Sequence, residues 1–151
     1  MVKVLFICYG NICRSPMAEF VMKDMVKKLG KENDFYIASA STSTEEIGNP
    51  VHYGTRNKLN SLGISTDGKV AVQLTKADYA KYDYILAMED MNIRAILRII
   101  GSDPDNKVSR LLDFSKNSRN IADPWYTGDF DTTYNDIHEG ITAFLEYLER
   151  N

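Results

Sequence analysis

Residues 2–7, "VKVLFI", form an unbroken apolar and β-branched run apart from one lysine, and the polar stretch "CYGNICRSP" follows with no linker. A short run of this kind reads as a strand buried on both faces, which is the habit of parallel strands. Parallel strands need long crossovers, so the rest of the chain has to supply helices. Pro16 suits the first position of a helix, where its missing N–H costs nothing, and Ala18, Met22, Met25 and Leu29 make an apolar stripe ending at Gly30. "FYIASAS" reads as a second strand, "TSTEEIGNP" as an irregular polar loop, and residues 53–62 as a helix closed by Gly63. "YDYILAM" is a third strand, and "NIRAILRII" carries Ile93, Ile96, Leu97 and Ile100 at helical spacing. A weaker strand lies near "KVSRLLD", and a final helix puts Tyr134, Ile137, Ile141, Phe144, Leu145 and Leu148 on one face. The expected fold is α/β: a single three-layer domain over residues 1–151, with a central four-stranded parallel sheet flanked by helices on both faces. Ligands of such sheets collect beyond the carboxyl ends of the strands. The loop beginning at Cys8 is at one of those ends.

That loop has the composition of an anion site. Between a buried strand and a helix, several backbone N–H groups converge and the helix N-terminus adds partial positive charge. Gly10 is expected to let the backbone come close, and Asn11 is among the few non-glycine residues that tolerate a left-handed conformation. Arg14 can hold two phosphate oxygens with its planar fork. Amides, helix terminus and guanidinium together favour the thiolate of Cys8, and a thiolate facing a bound phosphate is a nucleophile aimed at phosphorus. A nucleotide-binding P-loop would end in Gly-Lys-Ser/Thr, where this stretch offers Cys-Arg-Ser.

Composition narrows the class. Of 151 residues, 44% are hydrophobic and 26% charged, the balance of a globular chain with a proper core. Apolar runs such as "VLFIC" fall far short of the roughly 20 residues a membrane helix needs. The first residues read as a strand and not as a charged leader with an apolar core, so a cytoplasmic protein without membrane insertion is expected. A net charge of −3 with no Lys/Arg block argues against nucleic acid. Cys8 and Cys13 sit in one loop, too close in sequence to staple a fold, and are read for reactivity. His52 and His138 lack ligand-like partners, so they read as surface or partly buried residues. No metal or cofactor is expected.

"CYGNICRSPMAE" resembles the active-site loop of the low-molecular-weight protein tyrosine phosphatases, and "SAS", "EIGNP", "LTKADY", "YDYILAME" and "ADPWY" follow in that family's order and spacing. The resemblance implies hydrolysis of phosphotyrosine on protein substrates in two steps: Cys8 takes the phosphoryl group as phosphocysteine, and water releases it. Arg14 would bind the phosphoryl oxygens, Ser15 would hydrogen-bond the sulfur, and Asn11, supported by Ser39, would hold the loop. Asp123, in the turn stiffened by Pro124, would protonate the leaving phenolate and later take a proton from water. Tyr9, Gly10, Asn11, Ile12, Cys13 and Ser15 would line the substrate site from the loop, with Glu45, Trp125 and Tyr126 at the rim.

The rim departs from the family's commonest pattern. Glu45 stands where many members carry an aromatic residue, so one wall of the phenyl slot is expected to be missing, and Trp125 stands where tyrosine is frequent. Lys69 occupies the place where some relatives have a loop-ordering histidine and suggests a pair with Glu89; a solvated surface lysine is an equal alternative. Three other functions share such a loop. An arsenate reductase would need further cysteines, and there are none. A protein arginine phosphatase resembles "CTGNTCRS", with threonine where Ile12 stands, and the apolar Ile12 favours a phenyl ring over a guanidinium. A non-catalytic phosphotyrosine-binding or redox-sensing module would have no need of Cys8, Arg14 and Asp123 together. A monomer is expected, and redox regulation through Cys8 and Cys13 follows from their shared loop.

Overall fold

In a computed structural model describing Met1–Asn151, strand β1 (Val2–Cys8) runs through the middle of the molecule, hydrogen-bonded in parallel to β2 (Phe35–Ser41) on one side and β3 (Tyr84–Ala87) on the other. A fourth strand, β4 (Val108–Arg110), pairs in parallel with β3, giving the order β2-β1-β3-β4. The apolar run of β1 is explained by its two faces. Val4, Phe6 and Cys8 point into one core, with Met17, Met22, Ile137, Ile141 and Phe144. Leu5 and Ile7 point into the other, with Ile85, Ala87, Ile96 and Ile100.

Helices α1 (Arg14–Lys28), α2 (Tyr53–Ser61) and α6 (Phe130–Arg150) cover the first face, and α3 (Asp78–Lys81) and α4 (Asp90–Ile100) the second. A single turn, α5 (Pro124–Thr127), stands at the carboxyl end of the sheet. Full burial of side chains such as Phe6 and Phe144 stabilises the fold by about 1.5–3 kcal/mol each. Packing against α6 is close enough that a Cβ on Gly140 would come within 2.5 Å of Leu111. The α/β architecture with helices on both faces is as the sequence implies.

Local boundaries differ. Helix α1 begins at Arg14, so Pro16 is the third helical residue and not the first, still within the turn where a missing N–H leaves no intrahelical bond unmade. Leu29 is no part of the apolar stripe: it caps the helix and is 57% exposed, while Met17, Val21 and Val26 are buried instead. Strand β4 has three residues, and Leu111–Phe114 turn into a 3-10 helix that feeds Leu111 and Leu112 to the core.

The chain leaves β1 toward β2 on one side and then crosses to β3 on the other, so the order reverses between β1 and β3. A crevice opens at such a point, beyond the strand ends. Cys8 ends β1 there, and Glu89 follows β3. No helix is long and apolar enough to cross a membrane.

Candidate active site

The loop from Cys8 to Arg14 is fixed by its carbonyls. The C=O groups of Cys8 and Tyr9 accept the N–H groups of Thr42 and Ser43, that of Ile12 accepts His52 N–H, and that of Cys13 accepts Met17 N–H and the Thr55 hydroxyl. With its acceptors turned outward, the loop keeps its donors: the N–H groups of Tyr9, Gly10, Ile12, Cys13, Arg14 and Ser15 bond to no protein acceptor, and Asn11 N–H lies 3.2 Å from Cys8 Sγ. Successive free amides at a helix N-terminus make a concavity for an anion. Asn11 supplies the left-handed residue, with φ 59°. Gly10 is not left-handed, and a Cβ there would meet Glu46 Cγ only at 3.4 Å, so no protein neighbour demands glycine.

Below the loop a buried hydrogen-bond chain has only one possible direction. Glu19 can only accept, and it takes the Ser39 hydroxyl proton at 2.6 Å. Ser39 Oγ therefore accepts from Asn11 Nδ2 at 2.9 Å, and the second Nδ2 hydrogen goes to Ser15 Oγ at 2.8 Å. Asn11 Oδ1 accepts Val72 N–H at 3.1 Å. Ser15 keeps its own proton, which is thus free to point at Cys8 Sγ, 2.9 Å away. Cys8, Asn11, Ser15 and Ser39 are all at most 3% exposed. Glu19 is the member that sequence reasoning missed; as one charged residue in a helix it gave no signal.

Arg14 is equally buried. Its guanidinium donates to Glu89, to Ile121 C=O at 2.8 Å, and to Asp123 Oδ2 at 3.4 Å. The suggested Lys69–Glu89 pair does not form, because Glu89 is taken by Arg14 while Lys69 lies on the other side of the loop. Lys69 Nζ donates to Ser39 C=O at 3.0 Å and stands 3.7 Å from Glu19. Nor is it a solvated lysine: its side chain is 13% exposed, and burial pushes its pKa down against the opposing pull of Glu19.

Asp123 caps α5, with Oδ1 accepting Trp125 N–H at 3.0 Å, and this turns the carboxyl toward the loop. A cavity of about 130 Å³ is lined by Cys8, Gly10, Ile12, Cys13, Arg14 and Asp123, with Tyr9, Glu45, Trp125 and Tyr126 around the opening. Ser15, Asn11 and Ser39 lie beneath it and do not line it. The missing wall is supplied otherwise than by Glu45: Tyr9 presents its ring there, and its hydroxyl donates to Glu45 Oε1 at 2.7 Å. Cys13 is a buried free thiol pushed up to about 12, by burial first and by the neighbouring Cys8 second. His52 caps α2 through Nδ1, and no three His, Cys, Asp or Glu side chains group as metal ligands.

The profile of the family described as "Low molecular weight phosphotyrosine protein phosphatase" matches residues 3–151. The low molecular weight protein-tyrosine-phosphatase YfkJ of Bacillus subtilis is 39% identical over 152 residues, covering 99% of this chain and 97% of that one; its crystal structure superposes with a TM-score of 0.94. A low molecular weight phosphotyrosine protein phosphatase of Gallus gallus is 41% identical, covering 95% of this chain and 93% of its own. Wzb of Vibrio vulnificus, solved in complex with benzylphosphonate, is 26% identical with a TM-score of 0.84, covering 97% of this chain and 98% of that one.

Proposed function

Since the chain belongs to the low molecular weight phosphotyrosine protein phosphatase family and is a phosphatase by that membership, we propose that it hydrolyses phosphotyrosine in proteins through a phosphocysteine on Cys8. The observation that carries the reading is the meeting of Cys8 Sγ, Arg14 and the carboxyl of Asp123 in one cavity above a loop whose amide donors have no protein acceptor.

The phosphoryl oxygens accept from the loop amides and from Arg14, which holds the charge spreading over them in the transition state. Cys8 attacks phosphorus in line with the phenolic oxygen. Asp123 gives that oxygen a proton as the P–O bond breaks, and later takes one from the attacking water. The Ser15 hydroxyl, its proton directed at Cys8 by the chain from Glu19, stabilises the sulfur when it leaves phosphorus in the second step. Glu89 holds the guanidinium of Arg14 in place. Benzylphosphonate, held by the Vibrio relative, has the shape of the end of phosphotyrosine: a phosphorus group one atom from a flat ring. Ring contact here comes from Tyr9, Trp125 and Tyr126, and Ile12 offers apolar surface where a guanidinium would want an acceptor. Phosphotyrosine is therefore expected to exceed phosphoarginine and phosphoserine in kcat/KM.

Replacing Cys8 by Ser tests the covalent step. Turnover of an aryl phosphate should vanish while inorganic phosphate still binds, because the cradle is made of amides and Arg14. In the unmodified protein, acid-quenched turnover should leave phosphate on Cys8, read by mass spectrometry. Substantial residual turnover in the variant would remove the mechanism.

A further inference from the structure

Beside the catalytic cavity lies a wider groove of about 470 Å³ that shares Tyr9, Arg14, Asp123 and Tyr126 with it and is closed on the far side by α4. We propose that this groove is an accessory anion subsite, in which Arg94 and Arg98 receive a carboxylate or a second phosphoryl group from a residue near the phosphotyrosine. The inference rests on the phosphotyrosine reading and adds to it a substrate class.

The charges of the groove are unequal in use. Its two carboxylates, Glu89 and Asp123, are both turned to Arg14, so these three groups together leave one negative charge against the two positive charges of Arg94 and Arg98. Arg94 and Arg98 line the groove, are exposed, and make no ion pair or hydrogen bond, whereas Arg110 and Arg119 each engage two carboxylates. Two cations four residues apart on a helix repel, which costs a few tenths of a kcal/mol. Neither arginine makes an ion pair within the protein that would offset that repulsion, and an anion between them would.

The groove also carries its own neutral donors. Thr42 and Ser43, from the loop after β2, stand in its wall, so an oxyanion would meet hydroxyl groups as well as guanidinium. Glu45 and Glu46 line the catalytic cavity and take no part in the groove. A peptide that runs from the cavity into the groove thus leaves carboxylates at the cavity rim and meets free arginines along the groove. One extended residue spans about 3.3–3.6 Å, so a groove that begins at the rim of the cavity is reached within a few residues. Acidic groups are accepted on the flank that enters the groove.

The test compares kcat/KM for phosphotyrosine peptides in one frame, with the residues on one flank at a time made Ala, Asp or phosphoserine. On one flank the Asp and phosphoserine peptides should exceed the Ala peptide by roughly three- to tenfold at low ionic strength, the size expected of exposed charge pairs, and the advantage should shrink in salt. In Arg94→Ala/Arg98→Ala the ratio of acidic to neutral peptide should fall to about one, a readout that general damage to the enzyme does not move. Asp against phosphoserine identifies the source of the anion. Equal rates on both flanks, or a preference that survives the double substitution, overturns the subsite while leaving the phosphatase intact. A folded wild-type protein that turns over none of the peptides overturns both.

Discussion

The floor of the site and its rim are built on opposite principles. Every polar side chain of the floor is buried and has the direction of its hydrogen bonds fixed, with Asn11 donating both to Ser15 and to Ser39, and Ser39 donating to Glu19. At the rim, Tyr9, Trp125 and Tyr126 are 46%, 57% and 84% exposed, and one hydrogen bond, Tyr9 to Glu45, links two of its members. A buried polar group left without a partner costs about 1–3 kcal/mol, whereas an exposed one turns to water. Change is therefore expensive in the floor and cheap at the rim. On the proposed mechanism, the reacting atoms stay fixed while the surface that would meet the substrate can vary.

The largest break in this comparison is expected where the two regions meet, at Asp123. Asparagine keeps an oxygen to accept Trp125 N–H, so the cap of α5 survives, but it has no acidic proton to give. Asp123→Asn should slow release of a phenol of high pKa by about 10²–10⁴-fold, and that of an activated nitrophenol much less. Equal losses for both leaving groups would make Asp123 a structural residue and leave the reaction without its acid.

Next comes the floor alone. Asn11→Ala removes two donors and an acceptor from a buried network and puts a Cβ-bearing residue without a polar side chain at φ 59°. The expected loss of stability is about 2–4 kcal/mol, read by denaturant titration, against under about 1 kcal/mol for Trp125→Ala at the rim. Comparable losses at the two positions would erase the distinction.

The same contrast explains what could be read from the sequence. Cys8, Asn11, Arg14 and Ser15 are packed into one short stretch, so their shared purpose is visible in the order of the letters. Their supports come from elsewhere: Glu19 from the second turn of α1, Lys69 from a loop, Glu89 from the end of β3. The pairing of Glu89 with Arg14 and of Lys69 with Glu19 depends on which side of the loop each segment passes, a property of the crossover and not of any local pattern. Likewise α3 and α5, at four residues each, are too short to show helical periodicity. The long helices were legible because burial on one side writes a period into them, and the central strand because burial on both faces leaves an unbroken apolar run. Ser39 was legible only through the family resemblance.

Cys13 tests whether the floor also protects the nucleophile. Peroxide would convert Cys8 to its sulfenic acid, and the Cys13 sulfur would displace water from it to close a disulfide. With Cys13 held up to about 12, its thiolate is scarce at neutral pH, so closure should speed by up to about tenfold per pH unit below that value. Dithiothreitol should restore the treated wild type, whereas Cys13→Ser should lose activity permanently several times faster. Equal recovery in the two proteins would reduce Cys13 to a packing residue.

The smallest effect is expected at Tyr9, where ring and hydroxyl can be separated. The ring stands in the wall of the opening; the hydroxyl donates to Glu45, and that hydrogen bond, which needs the phenol proton, is the main cause of a raised Tyr9 pKa. Folding thus favours the protonated phenol, so the stabilisation is fully present below the ordinary tyrosine range and is lost as pH rises through the raised value. Both partners are exposed, and contacts of that kind are worth little in water. Tyr9→Phe removes the tether and keeps the wall, so kcat and KM for an aryl phosphate should stay within about twofold of wild type. Tyr9→Ala removes both, and KM should rise severalfold as the substrate ring loses a face to lie on, with kcat little changed because the floor is untouched. A loss in Tyr9→Phe as large as in Tyr9→Ala would place the catalytic weight on the Tyr9–Glu45 hydrogen bond, and the rim would then share the rigidity of the floor.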